Sequence, residues 1–438
     1  MLREALKDAE VALYDIDGQR LRESICILEN MNEHTNAGRM TIKGYLGKRQ
    51  RRAALKGADF VVNAVQVGGY EPSTVIDFDV PKKYGLRQTI GDTLGIGGIF
   101  RALRTIPVLL DFAMDMESVC PDAWFLNYSN PMAMLTGAML RGSSIKTVGL
   151  CHSVQVCIAS LLDTLGDYSF AEDYDKLHKL PEDYGWSAKI AGINHLAWML
   201  EVKKDGKDMY PELKKKAKAY LRAMRGRLGE PTSHHYNLVR LQTMLDFGYY
   251  VTESSEHLAE YTPYWIKSRH PELIGEYGIP LDEYPRRCIR NRDSWSRQYA
   301  GLKNQKLTHD IISREYGSGI MNAIASNVPY YFAGNVQNCG LIENLPQDAI
   351  VEVPCVADAC GVHGTRVGRL PVQCAALDMT NINVQLLTIE AALTQRKEHI
   401  YQAAMLDPHT ASELTLDEIK ALCDDLIKAH GSYLPKYH

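Results

Sequence analysis

The sequence predicts an α/β fold in two parts: a domain built on a parallel sheet over residues 1–204 and a mixed α+β domain over 205–438. Three observations predict it. Short apolar runs rich in β-branched residues alternate with helix-patterned segments through the first 200 residues, the rhythm of strand–helix–strand units. Each run ends on polar residues, and open parallel sheets bind ligands outside the carboxyl ends of their strands. From about residue 205 the pattern changes to longer helices around one β-rich insert.

Taken in order, EVALYD (10–15) is the first strand and ends on Asp15. Leu21, Ile25 and Leu28 follow at helical spacing. DFVVNAVQV (59–67) is the next strand and carries Asn63 and Gln66. AWFLNYSN (123–130) has Asn127 and Asn130 at its polar end, and Pro131 then opens the helix PMAMLTGAMLRG. IKTVGLCHS (145–153) stops on Cys151, His152 and Ser153. In the second part, PELKKKAKAYLRAMRG and NINVQLLTIEAALTQRKEHIYQAAML read as helices, and AIVEVPCVAD (349–358) as the β insert.

At 438 residues the chain is long enough for two or three lobes, and 45% hydrophobic with 23% charged residues is ordinary for a globular protein. A net charge of −4 without a charged tail leaves no electrostatic footprint for nucleic acid or an anionic membrane, so a small-molecule partner is favoured. The one dense basic run, Lys48 to Arg52, reads as a solvated face. The charged N-terminus lacks the apolar centre of a secretory signal, and no run reaches the roughly 18 apolar residues of a membrane span, so a cytoplasmic protein is expected. Ten scattered cysteines without a C-x-x-C pair suit a reducing compartment.

Asp15 and Asp17, just after an apolar strand, stand where a dinucleotide fold places the acid that binds the adenosine ribose, which favours NAD over NADP. The same residues also suit a helix N-cap or a turn. The glycine-rich turn expected about 20 residues upstream is not in this sequence. Either the first strand and its glycine loop are lost or left off the recorded start, or this is no dinucleotide domain. The motifs further along favour the first.

VNAVQVGGY (62–70), LRQTIGDTLGIGGIFRALRTIP (86–107), NYSNPMAM (127–134), GLCHSV (149–154) and GINHLAW (192–198) together resemble glycoside hydrolase family 4. The likeness covers almost the whole chain. It is nearest the family's bacterial α-galactosidases, including YYVTESSEH (249–257), PLDEYPRRC (280–288) and AAMLDPHT (403–410). The resemblance implies an NAD- and divalent-metal-dependent glycosidase with a Rossmann-like, malate/lactate-dehydrogenase-like first domain that here lacks its first strand and glycine loop. It implies that Cys151 and His195 bind the metal, usually Mn²⁺; a thiolate and a neutral imidazole suit a borderline divalent ion and leave positions open for substrate oxygens. Read without the family, Cys151 is an inert buried thiol and His195 a hydrogen-bonded core histidine.

The resemblance also implies a reaction. The cofactor takes a hydride from sugar C3, a base removes the C2 proton, the leaving group departs from C1, and water and hydride then return. His152 holds the position of the proton donor to the departing oxygen. The base position falls on Glu253 or Tyr250, and the two rank equally. Arg87, Asn130 and Asn194 match sugar-contact positions, with Arg286 or Arg287 from the second part, while Asp15, Asp17, Asn63, Gln66 and Asn127 line the expected cofactor side. The Cys-His-Ser order matches the α-galactosidase group, so an α-galactoside substrate is expected, in a homodimer or homotetramer. The competing readings are another family 4 α-glycosidase, a remnant that has lost cofactor binding, and a 2-hydroxy-acid dehydrogenase.

Overall fold

The computed structural model describes residues 3–227, 236–308 and 314–438. The chain begins β1 (Glu10–Asp15), α1 (Gly18–Asn36), β2 (Thr41–Leu46), α2 (Arg51–Leu55), β3 (Phe60–Asn63), α3 (Val75–Lys82) and α4 (Gly95–Val119). It continues through β4 (Trp124–Asn127), α5 (Met132–Gly142), β5 (Lys146–Gly149) and α6 (Ser153–Leu165). The expected parallel start is present: β1 pairs in parallel with β2, and β3, β4 and β5 pair in parallel in that order.

Antiparallel structure follows with β6 (Trp186–Ile193), β7 (Leu196–Lys204) and β8 (Lys207–Asp208). Then come α7 (Tyr210–Met224), α8 (Leu238–Phe247), β9 (Tyr250–Val251), α9 (Ser255–Tyr261), α10 (Glu272–Tyr277), α11 (Glu283–Asn304) and α12 (Tyr316–Ser326). The last elements are β10 (Tyr330–Gln337), β11 (Ile350–Asp358), β12 (Gly361–Gly364), α13 (Val372–Thr394), α14 (Lys397–Leu406), α15 (Pro408–Glu413) and α16 (Leu416–His430). No helix among the described residues is long and apolar enough to cross a membrane.

Among the described residues β1 and β2 form a sheet of their own. A ten-stranded sheet runs β3-β4-β5-β10-β11-β6-β7-β8, with β12 on β11 and β9 on β7. Its middle joins early and late sequence: Asn335 of β10 stands opposite Gly149 of β5, and Glu352 of β11 opposite Gly192 of β6. Position 204 therefore falls at the β7–β8 turn, inside a continuous sheet. Both apolar cores also draw residues from the two parts. Gly149 permits the β5–β10 approach, because a Cβ there would meet Met132 Sδ at 2.6 Å and the Asn335 Cβ at 2.9 Å.

The parallel strands are shorter than their apolar runs, and side-chain hydrogen bonds explain where they stop. Asn63 Nδ2 donates to Asn127 Oδ1 at 2.8 Å, Asn127 Nδ2 donates to the Ser129 carbonyl, and Ser129 Oγ donates to the Val65 carbonyl. Asparagine and serine side chains compete with ladder hydrogen bonds in this way and turn the chain out of the strand. The long helix expected over 381–406 breaks into α13 and α14 at Gln395, whose φ of 57° is left-handed and whose N–H caps the Ala391 carbonyl.

A buried ion cluster ties the C-terminal helix to the first part of the chain. Asp77 on α3 accepts from Arg104 on α4 at 2.6 and 3.0 Å and lies 2.9 Å from His430 Nε2 on α16. All three side chains are at most 2% exposed. Removing one member of such a cluster strands an uncompensated charge in the core. Asp77→Ala is therefore expected to lower unfolding stability by about 3–5 kcal/mol, read from the denaturant midpoint.

Candidate active site

Cys151 follows β5 by two residues and sits ahead of α6, with its sulphur 3.5 Å from the Ser153 N–H. His195 lies at the tip of the β6–β7 hairpin and is 2% exposed. The two meet directly, Cys151 Sγ to His195 Nε2 at 3.2 Å. Glu253 follows β9 in a left-handed turn, φ 66°, and brings Oε1 to 3.9 Å from the same nitrogen. One ligand atom from each of Cys151, His195 and Glu253 lies within 4.8 Å of the others. A thiol, an imidazole and a carboxylate at that spacing fit a borderline divalent cation with room for further oxygen ligands.

The electrostatics agree. Burial disfavours a charged His195 ring, but the Cys151 sulphur, Glu253 and Asp92 around it prevail and raise its pKa to about 10. Burial opposes ionisation of Glu253, yet His257, His195 and Arg240 hold its carboxyl below the usual range. The other carboxylate oxygen of Glu253 points to His257 Nδ1 at 3.8 Å, and the His195 and His257 rings meet edge to face at 5.0 Å. Asp92, 7% exposed, completes the ring of charge and is held low against burial chiefly by Arg101 and His257.

Beside this cluster opens a cavity of about 390 Å³ lined by Gln66, Asp92, His257, Tyr284, Arg287 and Cys288, among others. Arg287 donates to Glu256 at 3.2 Å and to Glu283 at 3.0 Å, which fixes its guanidinium at the wall. Asn194 is fully buried one residue before His195, and its Oδ1 has no hydrogen-bond partner within the protein. Asn130 Oδ1 is orphaned likewise, while its carbonyl accepts from Arg101. Arg87 is half-buried, and its carbonyl accepts from His409 Nε2. Arg286 turns back to Glu283 and to the Leu281 carbonyl.

His152, next to Cys151 in the chain, is half-exposed, with Nε2 2.8 Å from Glu315. Tyr250 lies apart from the cluster: it is fully buried, its ring lies under the Arg240 guanidinium at 4.7 Å, and burial pushes its hydroxyl far up. On the expected cofactor side, Asn63 and Asn127 bond to one another, and Gln66 reaches Thr74 Oγ1 at 3.4 Å. Asp17 caps α1 through the Gln19 and Arg20 N–H groups, and Asp15 takes a two-pronged pair from Arg20 at 2.6 and 3.0 Å. Asp15 ends β1 of the separate β1–β2 sheet, and Asp17 lies two residues beyond it.

Sequence reasoning passed over Asp92, His257 and Tyr284, although each lies inside a quoted motif. No periodicity would have found the pairing of Glu253 with His257, because Glu253 lies in a left-handed turn ahead of α9. It also passed over Glu352, whose signal was a single charge within the apolar β11 run.

A candidate cation site between the exit of parallel strand β5 and the β6–β7 turn, beside a polar cavity, suits metal-assisted chemistry on a small molecule. Comparison with known proteins supplies the family. Residues 1–167 match the profile "Family 4 glycosyl hydrolase" and residues 190–410 match "Family 4 glycosyl hydrolase C-terminal domain". An α-galactosidase of Bacillus subtilis is 56% identical over 438 residues, covering all of this chain and 95% of that protein. An α-galactosidase of Rhizobium meliloti is 32% identical, covering 99% and 84%. Among solved structures, a 6-phospho-α-glucosidase from gut microorganisms in complex with NAD and Mn²⁺ shares the fold at TM-score 0.76 and 20% identity, covering 98% and 93%. A 6-phospho-β-glucosidase from Thermotoga maritima with manganese, NAD⁺ and glucose-6-phosphate does so at TM-score 0.71 and 19% identity, covering 98% and 93%. The chain belongs to glycoside hydrolase family 4, and the dehydrogenase alternative is set aside.

A cation between Cys151 and His195 competes with the proton that their surroundings hold on the imidazole. Because that pKa is raised to about 10, Mn²⁺ affinity should climb with pH toward that value, with protons released on binding. Calorimetry in two buffers of different ionisation heat measures the release, and affinity flat between about pH 6 and 9 refutes the pairing. Cys151→Ser should weaken Mn²⁺ by more than the roughly 10–100-fold typical of outer-sphere losses, with thermal unfolding unchanged.

Proposed function

We propose that the protein hydrolyses terminal α-galactosides of the melibiose and raffinose type, by NAD-dependent oxidation and elimination with a divalent metal. The observation that carries this reading is the cluster of Cys151, Glu253 and the buried His195, in a chain that matches an α-galactosidase along its whole length. Cys151 and His195 would hold the cation. Asp15 and Asp17 at the end of β1, with Asn63, Gln66 and Asn127 at the ends of β3 and β4, would hold the dinucleotide. The orphaned Asn130 Oδ1 beyond β4 offers that side a buried acceptor. When bound, NAD⁺ supplies a hydride acceptor and Mn²⁺ a Lewis acid toward sugar oxygens.

The rest is done by side chains. Glu253, ionised and beside the cation ligands, takes the proton from sugar C2; Tyr250, packed in the core under Arg240, does not. His152, next to Cys151 and held by Glu315, gives a proton to the departing oxygen. Arg87, Asn130, Asn194 and Arg287 orient the sugar, each offering several fixed donors or acceptors. Asp92 and Tyr284 complete the wall. We read β1–β2 and β3–β4–β5 as flanks of one Rossmann-like sheet of the malate/lactate-dehydrogenase type, with the cofactor between them, and the part after 204 as the sugar and assembly domain. The protein is then a cytoplasmic homodimer or homotetramer, a setting in which its ten unpaired cysteines stay reduced.

One observation favours a second reading, sugar binding without turnover: among the described residues β1 pairs only with β2, and β3 only with β4. Unpaired inner edges weaken a cofactor seat. Turnover of a nitrophenyl α-galactoside that requires both NAD⁺ and Mn²⁺, and exceeds that of the α-glucoside and α-galacturonide, supports the first reading. Mn²⁺ binding with no NAD⁺ affinity supports the second. Glu253→Gln should lower kcat by about 10²–10⁴ and Tyr250→Phe should change it by less than about threefold, both by steady-state kinetics.

A further inference from the structure

Beneath the site lies a carboxylate that neither the cation ligands nor the proposed proton transfers use. Glu352 sits within β11, is 1% exposed and interrupts the apolar run from Ile350 to Ala357. Its Oε1 accepts from Asn335 Nδ2 on β10 at 3.0 Å and from Asn194 Nδ2 at the β6–β7 turn at 3.3 Å. Its Oε2 stands 3.5 Å from Ser153 Oγ at the start of α6, long for a hydrogen bond. Three elements that position Cys151 and His195 therefore converge on one side chain. Burial pushes its carboxyl upward, while His195 and the two asparagines pull the other way. An acid this deep persists only where its neighbours compensate it.

The oxygen that meets both amides can only accept from them. Both must turn their NH₂ groups toward Glu352 and their oxygens away. Those oxygens, Asn194 Oδ1 and Asn335 Oδ1, are the atoms left buried without a partner. Orphaned acceptors are rare in folded proteins and call for an explanation. We infer that Glu352 is a positioning residue: it locks the Asn194 carboxamide with its oxygen presented as an acceptor for a sugar hydroxyl, and it ties the turn carrying His195 to the strand beside Cys151. The sugar half rests on the proposed function, and the tie does not.

The test compares Glu352→Leu, which removes the acceptor, with Glu352→Gln, whose amide oxygen still accepts from both asparagines. The leucine variant should raise KM for the nitrophenyl α-galactoside about tenfold or more with a smaller change in kcat, and the glutamine variant should recover most of that loss. Asn194→Ala added to the leucine variant should raise KM little further, since both act through one hydrogen bond, and full additivity overturns the inference. Deuterium exchange in segments 149–156 and 190–199 reads the tie without activity: faster in the leucine variant, restored in the glutamine variant. If the leucine variant does not fold, Asn194→Asp sets acceptor against acceptor, and Glu352→Gln on that background should restore KM; no rescue overturns the inference. Wild-type protein without galactosidase turnover, but with exchange that responds to Glu352, overturns the function and keeps the tie. Unchanged KM and unchanged exchange in the leucine variant overturn the positioning role.

Discussion

Everything about the site depends on the meeting of Cys151 Sγ and His195 Nε2 at 3.2 Å. A thiol and an imidazole packed this closely, with a carboxylate beside them, share a proton or seat a cation, and burial makes either outcome energetically heavy. The fold must therefore hold them from rigid elements. Cys151 is fixed by the strand-to-helix exit after β5, and His195 by a hairpin whose strands run eight and nine residues. Glu253 enters from a third direction, after the short strand β9 that pairs with β7.

That geometry explains why the two parts of the chain are fused through one sheet rather than joined by a linker. Among the described residues β5 and the β6–β7 hairpin do not pair; β10 and β11 stand between them in the sheet. The late strands thus act as a spacer that sets the distance between the thiol and the imidazole. They also carry Asn335 and Glu352, which hydrogen-bond under the site. The buried cluster of Asp77, Arg104 and His430 performs a similar service for the C-terminus, fastening helix α16 to α3 and α4.

Several pieces of this were legible in the residues. The run over 10–15 matches β1, and those over 123–130 and 145–153 contain β4 and β5, which stop earlier, at Asn127 and Gly149; a largely buried parallel strand such as β4 or β5 reads as an apolar run. The antiparallel strands β6, β7 and β10 were not read. Their patterns mix buried and exposed positions, and Lys189 and Lys203 lie within them. Glu253 and Tyr250 were indistinguishable as bases on sequence. Alternation along β9 and the turn after it separates them, sending Tyr250 into the core and Glu253 to His195.

By itself the sequence determined polar strand ends suited to a ligand and motifs enough to imply the family, and that resemblance in turn offers a cysteine and a histidine as cation ligands. Those are properties of residue types and their order, which survive without coordinates. Only the tertiary structure decided which groups act together, since Cys151, His195, Glu253 and Glu352 come from positions scattered over half the chain and meet through strand pairing. Burial, and the charges that burial brings close, then set which of them hold protons, and no local stretch of sequence encodes that.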